Sequence, residues 1–553
     1  MTSSQREGVE ETGSVCECSS ERLWQGEGGD WEAARTAVVL ECVLRHVDAR
    51  ELWACSGVCR AWRHAAARHW RRHLLPAARP ATLRALARTL DTLADEGRSE
   101  WSWRKEYALE NARWERCDQL LAPTASSAPL VCADLHSSGS YLAVVDEDAR
   151  VTIYERVRPK ATAQSGDVEW AAQWSDVVKT EWRNISFAQW APRITSLLLA
   201  GRMALVERFE LLCINFDEEW QSKIVCRSAS GPGGAACWVD DYNFLSTRLQ
   251  LLAPGHACTT VWLNAASQET YSEFAGVTAP LLRIYNEAAT HISHILVTEV
   301  SKEKQILDSN SENVLEDHFK PNASYYSCLQ KMHIIHMHHS YDLRKGETQR
   351  LLVAAAGSPG GLRGVARALA AWRLPALQVP LLWVEDHLAQ RVQRHRLRLL
   401  AADEPEPEHT PDEDVMRALC TPPDATCCLS ARILGLVLHP RGGCAWATTT
   451  AGATCVSLPA LQAVLQLPLD PACDPLLSPH YVFPSVDDDY FVTPQGGGSG
   501  LVRAWAARSG RAGARLRHAA PALAAFLLPR RARARRLLVL TADQLHVWQT
   551  LVN

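Results

Sequence analysis

Four histidines crowd into the seven residues "HIIHMHH": His333, His336, His338 and His339, with Cys328 just upstream. Imidazoles at such spacing can hold zinc or copper. On an extended strand, however, His336 and His338 share one side and His339 takes the other. No carboxylate pattern completes a shell, so no metal is expected. The cysteines agree: Cys16 and Cys18, Cys55 and Cys59, and Cys427 and Cys428 form no CxxC pair matched by a second one downstream. The glycine runs "GPGG" (231–234) and "GGGSG" (496–500) lack the Gly-Lys-Ser/Thr that opens a phosphate-binding helix, and read as hairpin loops. Neither a GxSxG elbow nor an HExxH helix occurs. A non-catalytic protein without cofactor is expected.

Charge offers the remaining chemistry. "PRRARARR" (529–536) places Arg530, Arg531, Arg533 and Arg535 in a loop between the strands "ALAAFLL" and "RLLVL". Guanidinium groups pair well with carboxylate or phosphate, which makes these four candidates for binding an acidic or phosphorylated substrate. The acidic "VDDDY" (486–490) could instead receive a basic one. A third run, "GVCRAWRHAAARHWRR" (57–72), holds five arginines and two tryptophans. Its charge suggests nucleic acid; its spacing suggests a helix that grips another protein. The formal charge of -4 gives no whole-molecule attraction to nucleic acid or an anionic membrane, so neither is expected as a partner.

These residues need elements to position them. At 553 residues the chain exceeds one ordinary core, so two or more units are expected. No apolar run reaches the roughly 18–20 residues of a membrane span. Residues 1–33 are acidic and polar, unlike a signal peptide, and read as a disordered tail. The 18 cysteines are then reduced thiols, which fits the cytoplasm, with the nucleus as the alternative.

From Val38 the pattern turns helical. Val39, Val43, His46 and Val47 recur at three- and four-residue steps, and Leu40 and Leu44 widen the stripe. Asp48 can cap a second helix, with Glu51 returning to the cap. Leu52, Cys55 and Cys59 share a face; Val58, Trp62, Ala65 and Ala66 then line a third short helix. Such a small unit leans on a partner, and its arginines flank an apolar seam. A helical bridge over 76–124 follows: Leu83, Leu86, Leu90 and Leu93 keep helical spacing, and Trp103, Tyr107 and Trp114 fall near one face.

The stretch "VVLECVLRHVDARELWACSGVCRAWRHAAARHWRR" resembles an F-box, assigned to residues 34–75. Leu44, Val47, Leu52, Val58, Cys59, Arg60, Trp62 and Trp70 occupy matching positions, while Arg35-Thr36 stand where F-boxes open with Leu-Pro. The resemblance implies docking onto the Skp adaptor of a cullin-RING ubiquitin ligase. The contact set would be Val39, Leu40, Val43, Leu44, Val47, Leu52, Val58, Cys59, Trp62 and Trp70.

Near Ala133 the period changes from 3.6 to 2. "CADLHSSGSYLAVVDEDARVTIYERV" reads as three strands: Leu135, Leu142, Val144, Val151 and Ile153 alternate, and Gly139 supplies a tight turn. "ISFAQWAPRITSLLLAG", "ILGLVLHPRGGCAWATT", "YFVTPQGGGSGLVRAW" and "RLLVLTADQLHVW" are degenerate copies. Repetition of this kind marks a β-propeller. It looks like the WD-repeat family, with Tyr154-Glu155, Trp505-Ala506 and Trp548-Gln549 in place of the Trp-Asp pair. Residues 125–553 are expected to form about seven blades. Two insertions interrupt them: a polar one near 301–348, and a helix-forming then acidic one near 361–425.

The order of F-box, then propeller, resembles the F-box/WD-repeat class. The implied role is that of a substrate-recognition adaptor of an SCF-type ligase, with the Skp adaptor, cullin and RING subunits as partners and protein substrates on the propeller. Two alternatives stand beside it. One is a propeller scaffold without ubiquitylation. The other is an adaptor of a cullin-4-type ligase, for which "WAAR" (Trp505–Arg508) keeps the Trp and Arg but lacks the Asp of the docking element.

Overall fold

The computed structural model of the chain describes residues 31–59, 62–63, 65–66, 69–70, 103–121, 128–157, 169–204, 209–231, 235–253, 256–266, 278–286, 291–301, 348–357, 366–374, 420–473, 481–495, 499–529 and 535–550. They divide into a helical unit, residues 1–112 with 511–513, and a β unit, residues 113–510 with 514–553.

In the helical unit, α1 spans Trp31–Leu44 and α2 spans Ala49–Val58. Asp48 starts α2 by the expected reciprocal bonds: its Oδ1 accepts from Glu51 N at 2.8 Å, and Glu51 Oε2 accepts from Asp48 N at 3.0 Å. Two donors otherwise orphaned at the helix start are thereby satisfied. Cys59 ends the helix in extended backbone. Trp62, Arg63, Ala65, Ala66, His69 and Trp70 are helical again. A further helix, α3, covers Trp103–Glu110. Leu44, Leu52, Ala65, Ala66 and Trp70 form the core, and Tyr107 of α3 packs on it with its ring 5.2 Å from that of Trp70.

In the β unit every sheet has four antiparallel strands, and there are seven sheets. A first strand, β1 (Trp114–Leu121), stands apart. Blade 1 is β2–β5: Leu130–Leu135, Tyr141–Asp146, Arg150–Val157 and Glu169–Val177. Blade 2 is β6–β9: Trp182–Trp190, Ser196–Met203, Phe209–Phe216 and Ser222–Ser230. Blade 3 is β10–β13: Ala236–Trp238, Asn243–Ala253, His256–Ala265 and Thr278–Asn286. Blade 4 is β14–β17: His294–Ser301, Thr348–Gly357, Ala366–Arg373 and Ala425–Cys428. Blade 5 is β18–β21: Ile433–Leu438, Cys444–Thr449, Gly452–Ser457 and Ala463–Pro468. Blade 6 is β22–β25: Ser485–Val486, Tyr490–Pro494, Leu501–Ala506 and Ala512–Arg517. Blade 7 takes β26–β28 (Ala522–Leu527, Arg536–Thr541 and Leu545–Thr550) from the C-terminal end. Its outer strand is β1, with Trp114 opposite Thr550 and Arg116 opposite Trp548.

The first strands touch in a closed cycle, β2 to β6 and so on through β22 to β26 and back to β2. They therefore line the centre of a seven-bladed propeller. Each blade is covered on both faces by its neighbours, so inner strands such as "ILGLVL" and "ALAAFL" are nearly continuous in apolar residues. Between blades 1 and 2, for example, Cys132, Val145, Ile153, Leu197 and Ile214 are buried together. Gly435 of β18 lies so close to blade 6 that a Cβ there would sit 2.3 Å from the Val482 carbonyl oxygen.

Three expectations are corrected. Trp114 does not continue the helical bridge to 124: Trp114–Leu121 is a strand, because closing the ring supplies a partner that local sequence does not show. Ala366–Arg373 is likewise a strand inside the expected helix-forming insertion. Its alanines are good helix formers, but packing between β15 and β17 overrides that preference. "GPGG" joins two blades rather than turning a hairpin, since β9 and β10 lie in different sheets. The histidine run 333–339 lies outside the described residues. Among the described residues no three His, Cys, Asp or Glu side chains group as metal ligands, and no helix is long and apolar enough to cross a membrane.

Candidate docking surfaces

The expected contact set of the helical unit is split by the structure. Leu44 and Leu52 are fully buried and Trp70 nearly so, all in the unit's own core. This corrects the idea that they face a partner: their apolar surface is already covered. Leu40, Val47, Cys59 and Trp62 are half-buried. Val39, Val43 and Val58 are open, at 61, 49 and 64% exposure. Val38 and Trp53, absent from the expected set, join them at 63 and 36%. Four exposed valines on two short helices are apolar surface that only a partner would remove from water. Val38 directly precedes Val39 but lies off the three- and four-residue steps that picked out Val39 and Val43, so periodicity did not select it.

The basic run beside them is partly committed to holding the helices. Arg63 Nε donates to the carbonyl of Ser56 in the last turn of α2 at 3.2 Å. A cationic donor at a helix C-terminus satisfies an orphan carbonyl and complements the macrodipole. Arg60, Arg68, Arg71 and Arg72 lie outside the described residues.

On the propeller, one end carries the hairpins that join first to second strands. Neighbouring hairpins are tied together around this end. Ser137 Oγ donates to the Pro192 carbonyl, and Arg193 N donates to Asp241 Oδ1 at 2.8 Å. Arg350 lies 3.9 Å from Asp240 and 3.6 Å from Glu299. Gly442 approaches the Glu299 carbonyl; Arg441 Nη2 donates to Asp488 Oδ2 at 2.5 Å. Arg535 Nη1 sits 2.8 Å from Asp487 Oδ2, and its Nη2 also donates to Asp489. Gly139, held at φ +67°, closes the ring against Pro529.

The two charged runs read from sequence thus meet each other. The Arg535 side chain is 14% exposed, and Asp489 only 4%. Arg535 is consequently not an open site for an acidic substrate, and "VDDDY" is not an open site for a basic one; that is the correction here. Burial pushes the Asp487 carboxyl up although Arg535 stands beside it, and the two aspartates hold Arg535 firmly protonated. Arg530, Arg531 and Arg533 lie outside the described residues.

The opposite end carries the connections that lead into the inner strands. There three consecutive blades bring together residues that sequence reasoning missed. Ser293 Oγ is 2.9 Å from His294 Nδ1, and the His294 ring stands edge-on to Tyr481 at 4.8 Å. The Tyr481 hydroxyl hydrogen-bonds with Arg432 and Ser293. Burial, with Arg432 adding repulsion, lowers both His291 and His294; His294 is held down at about 4. Both rings are therefore neutral near pH 7. Such a cluster can donate and accept hydrogen bonds, with one fixed positive charge, to a ligand at the mouth of the channel. No single stretch carried a signal for it, because nearly 190 residues separate its members.

Comparison with known families fits this division. Residues 37–74 match the F-box domain. No curated protein matches the chain. An F-box followed by an all-β, seven-bladed propeller fits an F-box/WD-repeat protein. F-box domains generally bind the Skp adaptor in SCF complexes, so the architecture points to a substrate-recognition adaptor rather than a catalytic subunit.

Proposed function

We propose that this chain recruits protein substrates to an SCF-type cullin-RING ubiquitin ligase. The observation that carries the reading is the set of exposed apolar residues on the F-box helices. In it, Val39, Val43 and Val58 meet the Skp adaptor directly, with Val38 and Trp53 beside them. Leu40, Val47, Cys59 and Trp62 form the edge of the contact. Leu44, Leu52 and Trp70 act from behind by fixing the helices. The cullin and RING subunits join through the adaptor, and the ubiquitin thioester is supplied elsewhere. What this chain contributes is proximity: tethering raises the effective concentration of a target lysine near that thioester.

Substrates dock on the propeller end that carries His291, His294, Arg432 and Tyr481. The contrast between the ends supports this choice, since among the described residues of the other end Arg441 and Arg535 are paired with Asp487, Asp488 and Asp489. The stretches Cys237–Ser246 and Thr259–Val297 resemble the middle of F-box/WD repeat-containing protein 5, and the helical bridge, the insertion near 361–400 and the final two blades fall in its order. A cytoplasmic residence, with the nucleus as the alternative, accompanies the reading.

A scaffold without ubiquitylation is the second reading, favoured by Arg35-Thr36 in place of Leu-Pro. Reconstitution separates them. With Skp adaptor, cullin, RING subunit and charged E2 present, proteins captured by the propeller become ubiquitylated if the chain is a ligase adaptor. Capture without transfer supports the scaffold.

A further inference from the structure

On the face of blade 7 turned toward blade 6, His546 and Trp548 alternate along β28, and Arg116 of β1 stands directly opposite Trp548. Opposite residues of an antiparallel pair project to one side, so Arg116 shares this face. Blade 6 adds His518, just past the end of β25. The His518 ring lies 4.5 Å from that of His546 and edge-on to Trp548 at 5.6 Å. Four ring nitrogens here are shut off from solvent and have no hydrogen-bond partner among the described residues: His518 Nδ1 and Nε2, His546 Nδ1 and Trp548 Nε1. His546 itself is only 5% exposed. Buried polar atoms are nearly always paired, so an unpaired group of this size calls for a ligand.

The hydrogen-bonding character of these atoms follows from their neighbours. Thr541 Oγ1 has one proton, and both Asp543 Oδ1 at 2.5 Å and the Gln544 carbonyl at 2.8 Å can only accept it. Toward His546 Nε2, 3.3 Å away, the hydroxyl oxygen must therefore accept. The His546 proton sits on Nε2, and Nδ1 is a bare lone pair. Trp548 Nε1 only donates, and neutral His518 offers one donor and one acceptor. Burial, then Arg116, lowers His546; burial, then His546 and Arg116, holds His518 down at about 4, with Asp543 opposing in both cases. Both rings are thus neutral near pH 7. A guanidinium beside them repels a metal cation and attracts an anion. The cationic pair Arg503 and Arg515 differs, because each already sits 2.9 Å from the Asp470 carboxylate.

We propose that this seam between blades 6 and 7 is a binding site for inorganic phosphate. At neutral pH the ion carries both negative charge and an O–H. The O–H donates to His546 Nδ1, while the charged oxygens accept from Trp548 Nε1, the His518 N–H and Arg116. A phosphorylated side chain offers a related group, but as an ester that is largely without its proton at neutral pH, and so cannot satisfy the lone pair. The ion enters from the rim, where Arg116 is exposed and His518 half-buried. Its partners come from both blades, so it ties blade 6 to the blade that β1 completes. The site shares no residue with the surface proposed for protein substrates, and the inference stands whether or not the chain serves a ligase.

The test is isothermal titration calorimetry on the full chain with inorganic phosphate, sulfate and O-phosphoserine at matched ionic strength. Phosphate should bind saturably, one per chain, and raise the denaturation midpoint. Sulfate, which carries no O–H, and O-phosphoserine should each bind roughly tenfold more weakly or worse. Arg116→Gln changes an exposed side chain, and Trp548→Phe removes the indole N–H while keeping an aromatic ring. Each variant, unchanged in circular dichroism, should weaken phosphate binding by roughly tenfold or more. The proposal is overturned if phosphate and sulfate raise the midpoint equally and without saturation, as a general salt effect does. It is overturned equally if sulfate or O-phosphoserine binds as tightly as phosphate, or if either folded variant keeps the wild-type affinity.

Discussion

Replacing Arg535 by methionine separates a structural role from a binding one. The guanidinium bridges Asp487 and Asp489 from the neighbouring blade, and its side chain is 14% exposed against 22 and 4% for the two carboxylates. Methionine keeps much of the stem but removes the charge, leaving adjacent carboxylates, one of them buried, without their neutralising cation. Breaking a buried pair from one side costs about 3–5 kcal/mol, well above the roughly 0–1 kcal/mol of an exposed pair. Denaturant unfolding of the full chain, followed by tryptophan fluorescence, should show a loss of that size. The triple variant Arg535→Met, Asp487→Asn, Asp489→Asn should recover most of it, because no uncompensated charge is then buried. A loss under about 0.5 kcal/mol for Arg535→Met, the range of an ordinary surface substitution, would refute the reasoning and return Arg535 to the role of an open binding residue.

Asp48→Ala removes the reciprocal cap of α2 and should destabilise the helical unit by about 0.5–2 kcal/mol, read by thermal melting of the helical circular-dichroism signal. Gly435→Ala forces a Cβ against the Val482 carbonyl and should cost about 1–3 kcal/mol of propeller stability, read from the denaturation midpoint. Acid should loosen the propeller. The folded-state values of His294 and His518 are held down at about 4, below the ordinary histidine value of about 6.5. Their contribution is therefore full above about pH 6.5 and is lost as pH falls through about 4, the folded state resisting protonation. His518 is lowered first by burial and then by His546 and Arg116, with Asp543 opposing. A His518→Asn variant should flatten the decline in denaturation midpoint between those two pH values.

Local patterns made much of the fold legible. "HSSGS" and "HPRGG" announced hairpins that the structure places at β2–β3 and β18–β19, and Asp48 with Glu51 announced a helix start. Tyr154, Trp505 and Trp548 all fall on third strands of their blades, as the aligned copies implied. What escaped was non-local. β1 acquires its identity from a strand more than 400 residues away, and β16 from its position between two other strands. The contact residues escaped for a related reason. Apolar character marks Leu44, Leu52, Val43 and Val58 alike, but only packing decides that the first two turn inward and the others outward. Charge was similarly ambiguous, because the partners of Arg535 lie nearly 50 residues upstream in a neighbouring blade.

The most direct measurement is capture of the Skp adaptor by the full chain, with Val43→Asp and Val58→Asp as variants. Both valines are exposed, so a carboxylate there leaves folding intact, yet burying it in an apolar interface costs several kcal/mol. The proposed function requires that wild type binds and that each variant, unchanged in circular dichroism, loses the adaptor. Wild type that fails to bind, or variants that bind as well as wild type, would contradict it.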